Sequence, residues 1–259
     1  MFDLLTHHRA DLREQATRWC ENRPTTADRT LPVSEQFGTT IQGEGPHAGR
    51  VVQFLRLGGC NLSCTWCDTP YTWDATRFDL SAELTPTTAR QIVEDLIPGV
   101  VLVISGGEPL MHQRNDAWAY VLHGAVSRGC EVHVETNGTL APTEQTNGLV
   151  THYSVSPKMG HAGDHKGRDA RMHDGWLPLL ENGQACLKYV VQDPADVRVV
   201  AEDTADLGVP RHAVWVMPLG TSTTELQSRW PGVARAAADH HINASHRTHV
   251  LAWGDTKGT

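Results

Sequence analysis

Short runs rich in Val, Leu, Ile and aromatic residues recur along the chain, separated by longer stretches in which apolar residues return every three or four positions. Seven of the short runs read as β-strands, at 51–57, 100–104, 131–135, 149–155, 187–191, 213–217 and 248–252. The longer stretches read as helices. Residues 86–97 place Ile92, Val93 and Leu96 on one face with Pro86 in the first turn, and 118–128 set Leu122 and Val126 four apart before a terminating Gly129. Segments 195–207 and 223–240 repeat the pattern, the second kinked or divided at Pro231. Strands alternating with helices in this way predict an α/β fold with a mainly parallel sheet covered by helices. An amphipathic helix over 3–22 and a polar link over 23–29 precede that pattern. The expected division is therefore an N-terminal helical extension and linker over 1–30 and a main domain over 31–259, with the extension packed on that domain or on a second subunit.

Composition narrows the function more than the fold. With 39 % apolar residues and 23 glycines in 259 positions the chain can bury a core, and no internal repeat or low-complexity tract interrupts it. Twenty-two basic against 30 acidic residues leave a formal charge of −8, which argues against a broad nucleic-acid surface. No apolar run approaches the roughly 20 residues of a membrane helix, and the first residues lack a signal-peptide pattern. The expectation is a cytoplasmic protein that binds neither nucleic acid nor membrane.

Three of the six cysteines crowd into eight residues, which is not the layout of a disulfide framework. Cys60, Cys64 and Cys67 form C-x3-C-x2-C directly after the first predicted strand. Electron-transfer 4Fe–4S sites use four thiolates, so three leave one iron open for chemistry. A structural zinc site is the alternative, and it needs a fourth ligand from a histidine or another cysteine. Cys130 and Cys186 border β-rich runs, where a lone cysteine reads as a core residue.

The C-x3-C-x2-C segment resembles the radical S-adenosylmethionine (SAM) superfamily, in which SAM chelates the open iron. Val101-Leu102-Val103-Ile104-Ser105-Gly106-Gly107-Glu108-Pro109 resembles the strand and turn that bind the SAM amino group in those enzymes. Thr40-Ile41-Gln42-Gly43-Glu44-Gly45-Pro46, Gly49-Arg50, Phe54-Leu55-Arg56-Leu57, Cys67-Asp68-Thr69 and Ser156-Pro157-Lys158 follow in the order found in the 7-carboxy-7-deazaguanine synthase family. The likeness runs from about Glu35 to Pro218. It implies a partial, incomplete TIM-like barrel of the radical SAM type. It also implies conversion of 6-carboxy-5,6,7,8-tetrahydropterin to 7-carboxy-7-deazaguanine and ammonia, a Mg²⁺-dependent ring contraction in deazapurine and queuosine biosynthesis.

The same resemblance implies roles position by position. Cys60, Cys64 and Cys67 would hold the 4Fe–4S cluster, and Thr69 would ligate Mg²⁺, with Asp68 an obvious competitor. Ile41, Gln42, Gly43, Glu44, Arg56 and Ser105 would bind the pterin. Gln42 and Glu44 have the donors and acceptors to read its amide edge, and Arg56, alone in an apolar strand, could grip its carboxylate. The alternative for Arg56 is an internal salt bridge. Trp66, Cys67, Asp68, Gly107, Glu108, Glu135, Asn137, Ser156, Pro157, Lys158, Met217 and Pro218 would line the SAM pocket. Neither the residues nor the resemblance assigns a side-chain acid or base. The partners implied are a small pterin, a flavodoxin- or ferredoxin-like electron donor and a second copy of the chain in a homodimer.

Three features lie outside the match: the N-terminal extension, the segment 253–259, and two histidine-rich stretches. His161, His165 and His173, like His240, His241, His246 and His249, read as solvated loop residues rather than metal ligands. The competing functions are a glycyl-radical-enzyme activase, which shares the cysteine spacing but gives no reason for Gln42-Gly43-Glu44-Gly45, and a non-catalytic iron–sulfur or zinc module.

Overall fold

A computed structural model of the chain describes residues 2–258, with side chains from residue 10 onward. The elements are, in chain order, α1 (Phe2–Glu21), β1 (Thr30–Ile41), β2 (Val51–Leu57), α2 (Leu80–Glu83), β3 (Thr85–Thr88), α3 (Ala89–Glu94), β4 (Val101–Gly106) and α4 (Asp116–Ser127). They continue as β5 (Val132–Thr136), α5 (Glu144–Asn147), β6 (His152–Val155), α6 (Leu177–Glu181), β7 (Ala185–Val191), α7 (Pro194–Asp206), β8 (Val214–Pro218), α8 (Thr223–Asp239), β9 (Asn243–Ala244) and α9 (Thr248–Trp253).

All nine strands form one sheet in the order β3-β1-β2-β4-β5-β6-β7-β8-β9. From β2 to β9 every pairing is parallel, and β1 runs antiparallel to both β2 and β3. The ends of the sheet do not pair, so the barrel is open, as a partial TIM-like fold requires. Parallel strands covered by helices are largely buried, which explains the many Val and Leu residues of β2, β4, β7 and β8, whereas β5 (VHVET) and β6 (HYSV) alternate apolar with polar residues. The outer face carries the main core, from Leu55, Leu102 and Val132 through to the helix residues Leu122, Val200 and Val233. Trp118 and Trp176 are its largest members, and Trp118 pairs its indole N–H with Thr146 Oγ1 at 3.0 Å.

Five features differ from expectation. The twelve-residue β1 carries no clean alternation because most of its positions are half-buried, so its pattern does not announce a strand. Pro86 lies in β3, opposite Pro32, and the helix after it starts at Ala89 with Thr88 as its N-cap. Residues 149–151 precede β6, which is only His152–Val155. Residues 248–252 are helical: α9 buries only Val250, and the sheet has already ended at the short polar β9. Pro231 lies within a continuous α8, which opens with a capping box between Ser222 and Glu225.

Helix α1 packs along α4 on the outside of the sheet. Ala16 is buried there, Arg13 Nε donates to Ser127 O at 2.8 Å, and Trp19 stacks on His123 with centroids 4.1 Å apart. Arg23 covers the other side of Trp19 at 4.5 Å. Among the described residues no helix is long and apolar enough to cross a membrane.

Candidate active site

The carboxyl ends of the parallel strands open into a cleft of about 470 Å³. The register of the sheet builds its floor. Arg56 on β2 lies beside Ser105 on β4, and Glu135 on β5 lies beside Ser154 on β6. Ser105 Oγ bridges the gap by donating to Glu135 Oε2 at 3.0 Å. A chain that alternates inward and outward along each strand therefore sets these polar groups in one row.

Two loops face each other above that floor. One is the cysteine loop after β2; the other is the Gly106-Gly107-Glu108 turn after β4. Gly107 N donates to Leu57 O at 3.0 Å and Glu108 N donates to Gly59 O at 2.7 Å, which clamps the turn onto the root of the cysteine loop. A Cβ on Gly107 would fall 2.0 Å from Gly59 O, so only glycine fits.

Cys60, Cys64 and Cys67 all border the cleft. Two of their sulfurs receive hydrogen bonds: Leu62 N lies 3.4 Å from Cys60 Sγ, Trp73 Nε1 lies 3.3 Å from Cys67 Sγ, and Asn137 Nδ2 lies 4.0 Å from Cys60 Sγ. Burial pushes the Cys60 thiol up to about 12 and also raises Cys64, against the opposing charge of Lys158. Thiols that accept N–H donors, as those of Cys60 and Cys67 do, suit anionic sulfur bound to iron. Among the described residues no three His, Cys, Asp or Glu side chains gather as tightly as one metal ion requires.

The loop of residues 159–168 backs the cysteines, and its histidines are not solvated. His165 is buried and accepts from Ser63 N at 3.3 Å, and His161 accepts from Trp66 Nε1 at 3.0 Å while facing Asp196 at 3.4 Å. His249 also differs from expectation, because it lines the cleft with its ring 4.0 Å from Glu44. His173 caps the turn at Gly175, and His246 packs edge-on to Trp230.

The opposite wall is a buried ionic network. Glu44 meets Lys188 at 2.5 Å and Arg247 at 2.8 Å, and Arg247 continues to Asp68 at 2.5 Å and Gly220 O at 2.7 Å. Gln42 accepts from Glu44 N at 3.1 Å and donates to Glu135 at 3.2 Å, while Lys188 also reaches Glu135 at 3.4 Å. Burial alone would raise the Glu44 carboxyl, but the charges of Lys188 and Arg247 hold it well below the usual carboxylate range. The Asp68 carboxyl, which keeps one side open to solvent, is also lowered: desolvation works against this, and the Arg247 charge outweighs it.

Most of the residues singled out in the sequence meet here. Ile41, Gln42, Gly43, Glu44, Arg56, Ser105, Trp66, Cys67, Asp68, Thr69, Gly107, Glu135, Asn137, Ser156, Lys158 and Met217 line the cleft. Glu108, Pro157 and Pro218 do not. Glu108 is fully buried behind the turn, accepting from Leu110 N, Thr136 Oγ1 and Asn137 N at 2.9, 2.8 and 2.6 Å, so its carboxylate organises the loops instead of facing a ligand. Arg56 spends its Nε on Glu35 at 2.7 Å, and Tyr71 Oη donates to the same carboxylate at 3.1 Å. Asp68 binds Arg247 through Oδ2 and lines the cleft beside Thr69.

Sequence reading missed Lys188, Arg247, Tyr71, Trp73 and the tail. Lys188 carried the same signal as Arg56, a charge inside an apolar strand. Residues 254–258 lie along the rim, where Lys257 bonds Glu83 at 2.8 Å and sits 3.8 Å above the Tyr71 ring. Phe37 and Phe54, stacked at 5.2 Å, close the apolar side.

Residues 55–161 match the family model of the radical SAM superfamily, which spans the cysteine loop and the Gly-Gly-Glu-Pro turn. The crystal structure of QueE from Escherichia coli superposes with a TM-score of 0.59 at 21 % identity, covering 84 % of this chain and 93 % of that one, and so shares the fold. The curated 7-carboxy-7-deazaguanine synthase of Hyperthermus butylicus is 37 % identical over 246 residues, 91 % of this chain and 98 % of the relative. Those of Pyrobaculum aerophilum and Halobacterium salinarum are 32 % and 31 % identical, covering 90 % and 88 % of this chain and 99 % and 93 % of theirs. With that identity sustained across nearly the whole of both partners, the chain belongs to the 7-carboxy-7-deazaguanine synthase family of the radical SAM superfamily.

Proposed function

We propose that the protein converts 6-carboxy-5,6,7,8-tetrahydropterin to 7-carboxy-7-deazaguanine and ammonia. One observation carries the reading: a single cleft has three cysteines on one wall and, on the other, the Gln42–Glu44–Glu135 hydrogen-bonding edge joined to Lys188. A flat, donor-rich heterocycle placed between them would meet acceptors at Glu44 and Glu135 and both kinds of group at Gln42.

When bound, the 4Fe–4S cluster and SAM of this superfamily supply a radical able to take a hydrogen atom from the substrate ring. The residues of the chain hold and orient. Cys60, Cys64 and Cys67 bind the cluster, and Asn137, Ser156 and Lys158 border the adjoining SAM space. Arg56, steadied by Glu35 and Tyr71, presents the rest of its guanidinium to the substrate carboxylate. Thr69 offers a hydroxyl to Mg²⁺, whose remaining ligands come from water and substrate. The aromatic side and the 254–258 tail keep water out. The electron comes from a flavodoxin- or ferredoxin-like donor.

The test is an anaerobic assay of cluster-reconstituted protein with SAM, Mg²⁺, a strong reductant and the carboxypterin. 7-Carboxy-7-deazaguanine together with 5′-deoxyadenosine is the expected result. 5′-Deoxyadenosine alone would move the substrate assignment, and neither product from iron-loaded protein would overturn the reading.

A further inference from the structure

The edge proposed to read the pterin is drawn from separate segments, and one buried ammonium ties them together. Cys186, Lys188 and Val190 lie on one face of β7, and Lys188 lines the cleft while only 4 % exposed. Its Nζ reaches Glu44 Oε2 at 2.5 Å, on the loop after β1, and Glu135 Oε1 at 3.4 Å, on β5. Further donors turn onto the same two carboxylates: Arg247 Nε to Glu44 Oε1 at 2.8 Å, and Gln42 Nε2 and Ser105 Oγ to Glu135 at 3.2 and 3.0 Å. Gln42 Oε1 is spent on Glu44 N at 3.1 Å. A carboxylate has about four lone-pair sites, so Glu44 and Glu135 keep acceptor capacity toward the cleft.

We propose, on the strength of the pterin assignment, that Lys188 is a positioning residue that sets substrate specificity. Serving both carboxylates with one ammonium, it holds Glu44 and Glu135 as an accepting pair. The cleft then takes a ring edge that presents N–H groups, as the 2-amino and lactam N–H of a pterin do, and rejects the 2-oxo edge of a lumazine, whose carbonyl faces a carboxylate. Lys188 acts through the two carboxylates and not on the ring itself.

Charge balance gives Lys188 this role. Three carboxylates, Glu44, Glu135 and Asp68, meet two cations, and one of these, Arg247, is shared between Glu44 and Asp68. Among the described residues Lys188 is the one cation paired with Glu135. Without it the three carboxylates share a single arginine, and a proton becomes the remaining counter-ion. A protonated carboxyl is a donor, so one end of the edge turns from accepting N–H to meeting a carbonyl.

The other titratable groups around the pair do not replace that charge. Cys186 and His152 face Lys188 from β7 and β6, and Arg247 and His249 face Glu44 from the start of α9. Burial lowers both imidazoles, so each is neutral where the ammonium is charged. Arg247 is already divided between Glu44 and Asp68.

The experiment titrates 6-carboxypterin and 6-carboxylumazine, fluorescent oxidised rings that differ in the 2-substituent, into iron-loaded full-length protein with SAM and Mg²⁺ but no reductant. The unaltered protein is expected to bind the pterin at least about 100-fold more tightly, with a ratio that is flat between about pH 6 and about pH 7.5. Lys188→Met is expected to bring the ratio below about tenfold and to make it fall as the pH drops across that range. A lysine that only supported the fold would weaken both ligands alike, and a Lys188→Met protein with the parental ratio and a flat profile would overturn the proposal. If that variant does not fold, the unaltered protein decides: a ratio near one, or one that falls with pH, is equally fatal. Turnover of the carboxypterin by a protein that does not discriminate overturns the Lys188 inference alone, whereas binding of neither ring overturns the assigned substrate with it.

Discussion

Lys188 on β7 and Glu44 on the loop after β1, 144 residues apart in sequence, meet at 2.5 Å in the wall of the cleft with both side chains largely buried. Removing one partner strands the other, which costs about 3–5 kcal/mol for a buried pair. Lys188→Met is expected to lose stability on that scale in urea unfolding, and the Glu44→Gln/Lys188→Met double variant is expected to lose less than the two singles added. Simple additivity would show that the two charges do not act as a pair.

The pH dependence of that pair has a definite sign. The Glu44 carboxyl is depressed in the fold, so its contribution is present above the unfolded carboxylate value and is lost as acid carries the pH through the folded one. Burial would lower Lys188, but Glu135 and Glu44 raise it, so its contribution is lost only as alkali passes its folded value. The stability difference between parent and double variant is therefore expected to be flat from about pH 5 to about pH 10. A slope near neutrality would contradict it.

Gly107 and Gly59 sit on two sides of one contact but should respond differently to alanine. A Cβ on Gly107 meets the Gly59 carbonyl, whereas one on Gly59, at φ +88°, meets open space. Gly59→Ala is expected to cost about 1–2 kcal/mol of backbone strain and to keep its iron. Gly107→Ala is expected to reach at least the upper end of the ~1–3 kcal/mol of overpacking and to lose most of its iron, measured as iron per folded chain.

His123 couples the docking of α1 to acid. Burial, helped by the charge of Arg23, lowers it to about 4, so it stays neutral against Trp19. Once undocked it titrates near the ordinary value of about 6.5, so the docked state loses stability as the pH falls from about 7 to about 5 and loses none above that range. Hydrogen exchange in α1 should report this fall, and His123→Phe should abolish it.

Trp73→Phe removes the N–H that points at Cys67 Sγ. Hydrogen bonds to sulfur favour the more negative, reduced cluster. The variant should therefore show a lower cluster potential in an EPR-monitored redox titration and slower SAM cleavage with a fixed reductant. An unchanged potential would mean that Cys67 is not a ligand.

What the sequence made legible was local. The cysteine loop, the Gly-Gly turn, Gln42 and Glu44 each lie in a contiguous segment, and β2, β4, β7 and β8 are rich in Val and Leu because they are largely buried. What stayed hidden needed the register. Arg56 finds Glu35 only because β1 returns antiparallel beside β2, and β1 has no alternation to betray it. His133 and His152 look like unrelated histidines until β5 and β6 are paired. Arg247 gave no signal at all, being a polar residue among polar neighbours, yet it ties Glu44 to Asp68.

The rim position of residues 254–258 bears on how the protein can be handled. Chain attached beyond Gly258 would start from the mouth of the cleft, beside Lys257 and Tyr71. An affinity tag there would compete with substrate for the entrance, whereas α1, docked on the far side of α4, offers an attachment point that leaves the entrance clear.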